Sequence, residues 1–273
     1  MTVRSFTGRR RCNLMLVAVV AITGWITLQA NVASLRPPSR LTGWCLFAVV
    51  LFLTGFNVRK KLPFLPALGS AALWMQTHIY LALLSLPLFL VHLGMRIPDG
   101  PLETSLALLF SIVWSSGLYG LYITRVIPRQ LANLQREVIY ERIPAIRRRV
   151  SERSRQLAMS AELASPTIAA FYVDRLLGFF ERPRGWFYRV WPSSRRQRQL
   201  ITYIRDLQRY CSPDEQRVAW QLADLVREKE DLDYHHAQQW KLKSWLFLHV
   251  GLTYSLILVA LAHAVLAEAF RGF

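Results

Sequence analysis

Four histidines carry the strongest chemical pattern in this chain. His78 and His92 stand fourteen positions apart in one apolar stretch, and His249 and His263 stand fourteen apart in another. In a helix that spacing is just under four turns, so the two rings of each pair fall near one face, about 21 Å apart along the axis. An ionisable side chain inside an apolar spanning segment is unfavourable, which makes each of these rings a candidate for function. A single histidine in such a place is most often hydrogen-bonded between helices. The same gap on two segments argues for ligation by four imidazoles at two depths.

Two irons, each held by a pair of imidazoles, would use all four rings. Two rings on one helix cannot share a metal whose nitrogen ligands lie about 2 Å away, so the pairs must form across helices. His78 and His249 are expected to hold an inner haem iron, and His92 and His263 an outer one. Both groups would be non-covalent haem b, because the chain has no Cys-x-x-Cys-His attachment motif. Cys12, Cys45 and Cys211 are scattered, with no paired metal spacing. Saturated axial ligation suits outer-sphere electron transfer and disfavours oxygen chemistry at the metal.

The elements that must position these rings are helices. The pattern predicts an all-α integral membrane protein, with five transmembrane helices in a haem-binding bundle and a helical cytoplasmic insertion between the fourth and fifth. Residues 1–124 would hold spans one to four, 125–243 a basic helical domain, and 244–273 the fifth span that completes the bundle. The first span is expected at 14–28, behind Arg9, Arg10 and Arg11. A cleaved signal peptide is the competing reading there. The second, 41–58, follows the turn-forming Pro37 and Pro38 and ends at Arg59, Lys60 and Lys61, a positive flank expected on the cytoplasmic side. The third, 70–94, contains Pro87, which predicts a kink. The fourth, 102–123, carries Ser115, Ser116, Gly117 and Gly120. Small residues of that kind admit a neighbouring helix or a flat macrocycle, helix packing being the commoner use. Apart from His249, His263 and Tyr254, nothing ionisable lies in 244–267, which is long enough to cross a bilayer.

Charge supports the same orientation. The 273 residues are 53% hydrophobic and carry a formal net charge of +17. With apolar runs of this length, such basicity reads as positive-inside flanks and attraction to anionic lipid, with no nucleic-acid partner. The N-terminus and residues 125–243 are thus expected in the cytoplasm of what reads as a bacterial inner-membrane protein. In that domain Ser212, Pro213 and Glu215 form a helix start, with Ser as cap, Pro in the first turn and Glu in capping-box position. No Gly or Pro follows until Gly251, which predicts one helix running from this domain into the fifth span. Val218, Leu222, Leu225 and Leu232 would be its packing stripe, against an extension of the fourth span near residues 131–139. Punctuation by proline is expected at Pro128 and beyond. The Trp186-Phe-Tyr-Arg-Val-Trp191 run interleaves aromatics with arginine, a pattern that can bind single-stranded nucleic acid; with a membrane at hand an anchor at the lipid headgroup level is the favoured reading, and a solvated basic face is the commonest alternative. His235 and His236 point about 100° apart on a helix and are expected at the surface.

On its paired histidines the chain resembles the membrane di-haem cytochromes b of the respiratory type and the ferric-reductase-like transmembrane proteins. The resemblance covers the spans holding His78, His92, His249 and His263. It does not cover 125–243, and the Gly-x-Gly-x-x-Gly of a flavin and nicotinamide domain does not follow the last span. It implies an electron-transfer subunit of an oxidoreductase complex, working between a quinone pool or cytoplasmic donor and a redox partner on the opposite face, a cytochrome or iron-sulfur subunit. A quinone is a further candidate ligand. Haem propionates would face Arg59, Lys60, Lys61, Lys241 or Lys243 inside and Arg36, Arg40, Arg96 or Arg271 outside. Two other readings remain: a membrane-anchored scaffold with a basic partner-binding domain, and a histidine-based proton or metal transporter. The second would ordinarily place carboxylates within the spans, and none lies between their flanks.

Overall fold

The computed structural model describes residues 39–61, 71–132, 134, 138–162 and 166–270, and every regular element among them is helical. The first expected span, 14–28, lies outside the described residues. The helices are α1 (Ser39–Lys61), α2 (Ala71–His92), α3 (Pro101–Ala132), α4 (Ile143–Glu162), α5 (Pro166–Phe171), α6 (Leu177–Glu181), α7 (Trp186–Val190), α8 (Arg195–Gln208) and α9 (Pro213–Ala269). A 3-10 turn precedes α4, and a π-helical turn, Tyr172–Leu176, joins α5 to α6.

Three of these, α2, α3 and α9, are long and apolar enough to cross a membrane. In their most apolar windows only 11, 17 and 6% of the residues, respectively, are buried inside the protein. Apolar surface left outward on that scale is what a helix presents to lipid, since water would oppose it. The described apolar part of α1, Ser39–Gly55, is shorter.

The chain divides into two compact units, one within Met1–Tyr119 and Phe247–Phe273, the other within Gly120–Leu246. In the first, α1 packs on α2, and Val50, Phe89, Phe110 and Leu256 form a small core. Phe89 and Phe110 stack with ring centres 4.1 Å apart. The Trp114 indole needs an acceptor in these apolar surroundings and donates to the Ala82 carbonyl, 2.9 Å away, just upstream of Pro87.

The second unit has a conventional core. Ile143 and Val150 of α4, Ile168 of α5, Phe179 and Phe180 of α6, Leu200 and Ile204 of α8, and Leu222 and Val226 of α9 are all buried together. The capping box at the start of α9 is reciprocal: Ser212 N–H donates to Glu215 Oε2 at 2.6 Å, and Glu215 N–H to Ser212 Oγ at 3.5 Å. From there α9 continues for 57 residues without interruption. Its packing stripe is the one expected, with Leu222, Leu225 and Leu232 buried. Toward the end of α3, Gln130 accepts from Tyr234 Oη at 3.2 Å and from Gln238 Nε2 at 3.0 Å, while Gln239 donates to the Val138 carbonyl.

Two local expectations are corrected. Pro128 does not punctuate the chain: α3 runs through it to Ala132, into the extension expected near 131–139. His235 is not a surface residue: it is 3% exposed, and His236 beside it stacks on Tyr140 with ring centres 5.0 Å apart. A polar pair reads as a surface feature only while the helix's neighbours are unknown, and here α9 is enclosed on several sides.

Candidate functional site

The site is built at the end of α2. His92 is the last residue of that helix, and the chain then turns sharply through Gly94 and Met95, at φ +61° and +58°. Glycine adopts this left-handed backbone without penalty, which makes Gly94 a natural helix stop. The stop leaves His92 in the final turn, against the first turn of α1. There His92 Nδ1 lies 3.0 Å from the Ser39 carbonyl. A carbonyl only accepts, so Nδ1 must carry the proton and Nε2 keeps its lone pair. Thr42 Oγ1 stands 3.3 Å from the same nitrogen and donates to the same carbonyl. The arrangement is the one that orients a metal-ligating imidazole: one nitrogen tied to backbone, the other left basic.

Close approach of the ring to α1 depends on Gly43. A Cβ at that position would come within 2.8 Å of His92 Cε1. Across from His92, His263 on α9 presents its ring with a centre-to-centre distance of 6.5 Å and planes crossed at 83°. With each ligating nitrogen about 2 Å from a metal and about 1.1 Å from its ring centre, opposed ligands would have centres about 6 Å apart. The observed separation is of that size.

Both rings line a cavity of about 1220 Å³, larger than the few hundred to about 1,000 Å³ usual for small-molecule sites. Its inner wall is apolar, with Val50, Phe89, Phe110 and Leu256, and Gly43, Ala260 and Ala264 keep other walls low. Charge is confined to the rim, where Arg40, Arg96, Asp99, Glu103 and Glu268 stand. Arg40 Nε and Trp44 Nε1 both donate to Glu268 Oε1 at 3.2 Å, tying the start of α1 to the end of α9. Among the described residues no group of three or more His, Cys, Asp or Glu side chains is placed to hold a metal ion. His92 and His263 are the two imidazoles that line this cavity together. The rim thus carries two arginines and three carboxylates, with Arg40 paired to Glu268.

The other two histidines lie deeper along the same helices. His249 Nδ1 is 3.2 Å from Ser116 Oγ, and a Cβ on Gly117 would sit 3.7 Å from His249 Cε1, so the small residues of α3 receive this ring. His78 is half-buried in the first half of α2. The structure therefore brings His92 and His263 together with their ring planes crossed and seats His249 on the Ser116–Gly117 step. For His78 it gives the helix and its partial burial.

Sequence reasoning missed Ser39, Thr42 and Gly43. Their signal was available in hindsight as positions i, i+3 and i+4, which share one helical face. Trp44 and Glu268 were missed as well, since each matters only through the other. No family model, curated protein or solved structure matches this chain.

Proposed function

We propose that this chain is a di-haem b-type cytochrome subunit that carries electrons across a membrane, between a quinone pool or cytoplasmic-side donor and a redox protein on the opposite face. The observation that carries the reading is the His92–His263 pair, at the spacing of two axial ligands inside a large cavity with an apolar wall and a charged rim. In this reading His92 and His263 hold the outer haem and His78 and His249 the inner one. The bound haem supplies a centre that takes up and releases single electrons. The chain does the rest. The Ser39 carbonyl holds the His92 proton on Nδ1 and leaves Nε2 basic; Ser116 contacts Nδ1 of His249. Val50, Phe89 and Phe110 give the site its apolar lining, and Arg96 would supply countercharge to propionates, Arg40 being paired with Glu268.

The wider architecture belongs to the same proposal: five spans, with the N-terminus and 125–243 in the cytoplasm of a bacterial inner membrane, and assembly with a cytochrome or iron-sulfur subunit. The decisive experiment is a spectrum. The purified chain should be red, with a sharp reduced α-band, and pyridine haemochrome quantitation should return about two haems per chain, one for each axial pair. A colourless preparation, or one haem per chain, would overturn the reading.

A further inference from the structure

A second surface, far along the sequence from the histidines, has a chemistry of its own. Between Arg182 and Arg205 the chain carries seven arginines and no acidic residue. In the middle of this stretch α7 and the residue that follows it display aromatics outward: Trp186, Phe187 and Trp191 are 62, 83 and 82% exposed. A few residues upstream, Phe179 and Phe180 are buried in the core, so the unit has an interior that accepts aromatic rings. The difference lies in how α7 is held. Tyr188 turns inward and donates from Oη to Glu230 Oε1 at 2.9 Å. Arg184 pairs with the same carboxylate and lies over the Tyr188 ring, 4.9 Å from its centre. These contacts clamp the short helix to α9 by one residue and leave its flanking rings in solvent. Trp186 and Phe187 pack edge to face, 5.5 Å apart, and Arg182, Arg195, Arg196 and Arg198 beside them are exposed.

We infer that α7 and its arginines form a membrane-interface anchor whose partner is the headgroup layer of an anionic bilayer. Charge complementarity selects the occupant: a continuous basic stretch without carboxylates fits a negative lipid surface. Tryptophan and phenylalanine beside arginine suit the headgroup boundary, where an apolar ring meets a polar layer. Connectivity adds to this, because the unit continues at both ends into α3 and α9, each long and apolar enough to span. Lipid is thus within covalent reach, whereas a nucleic acid would have to be recruited. The inference needs the chain to be membrane-integrated and is independent of haem.

The test uses the full chain in vesicles. Cys12, Cys45 and Cys211 are replaced by serine, and a polarity-sensitive NBD label is placed at Phe187→Cys, at Trp191→Cys and, as a control, at Asp214→Cys in the same unit. Proteoliposomes are made from phosphatidylcholine alone or mixed with phosphatidylglycerol, with and without nitroxide-bearing lipid. Labels at 187 and 191 should be blue-shifted and quenched by the lipid nitroxide several-fold more than the label at 214. Phosphatidylglycerol should strengthen the effect and high salt weaken it. If the labels at 187 and 191 behave like that at 214, in a chain that still resists carbonate extraction, the anchor is overturned and the membrane reading stands. A response to an added single-stranded oligonucleotide, with none to lipid, would overturn it in favour of a nucleic-acid surface. Extraction of the whole chain by carbonate would overturn both readings.

Discussion

Gly43 lies directly beneath the His92 imidazole, so close that a methyl group there would reach 2.8 Å from Cε1. That is inside any ordinary van der Waals contact. The Gly43→Ala variant must therefore push the ring away from α1 and from the Ser39 carbonyl that orients it. Under the proposed function the outer haem loses a correctly aimed ligand, and bound haem should fall to about half, or one of the two should turn high-spin. Gly55→Ala, where nothing lies within reach of a Cβ, should leave the spectrum unchanged. Absorption and EPR spectra of the two variants settle the point.

The four histidines should act as two pairs. His92→Leu and His263→Leu should each remove the same haem, and the double variant should match either single one. His78→Leu and His249→Leu should each remove the other. Combining His78→Leu with His92→Leu should remove both. Redox titration identifies which haem is lost in each case. A different fraction bleached by His92→Leu than by His263→Leu would rule out their sharing an iron.

A buried ion cluster holds the second unit together. Asp233, with no exposed side-chain surface, lies 2.6 Å from Lys229 Nζ, 2.7 Å from Arg147 and 3.4 Å from Arg184. Burial holds the Lys229 amine below its ordinary range even with this carboxylate beside it. Asp233→Ala strands three cations with only Glu230 to balance them, which should cost about 3–5 kcal/mol. The melting temperature should drop by on the order of 10 °C. Lys229→Met leaves Asp233 paired with two arginines and should cost much less. Thermal melts in detergent compare the two; equal losses would show that the cluster does not act through charge balance.

Acid should loosen the same unit through His236. Burial, then the charges of Arg147 and Arg189, hold its pKa below the usual 6.5, with Asp233 opposing. The folded state therefore binds a proton less readily than the unfolded chain. Stability is full above 6.5 and declines as pH falls through the window between 6.5 and the lowered value. His236→Phe retains a ring to stack on Tyr140 but cannot titrate. Its melting temperature should fall less than that of the parent between about pH 7.5 and pH 5.5. Parallel declines would place the acid sensitivity elsewhere.

The sequence by itself determined the class of molecule and the placement of its rings. Hydropathy marked α2, α3 and α9 as membrane-length helices, because the lack of water in a bilayer leaves little freedom in what crosses it. Local chemistry at Ser212, Pro213 and Glu215 located the start of α9, and the absence of Gly and Pro up to Gly251 foretold its continuity. Spacing alone set His78 and His92 fourteen positions apart on one apolar helix and His249 and His263 fourteen apart on another. What only the tertiary structure decided depends on residues far apart in the chain meeting in space. The Ser39 carbonyl reaches His92 across 53 positions, Arg40 reaches Glu268 across 228, and neither partner's type announces the other. The same holds for His235, which reads as polar surface until the helix around it is enclosed, and for Asp233, whose carboxylate is tolerable in a core only because Arg147 and Arg184 arrive from other elements. Helix periodicity is a property of the chain, whereas the neutralisation of a buried charge and the clearance above a glycine are properties of the packing.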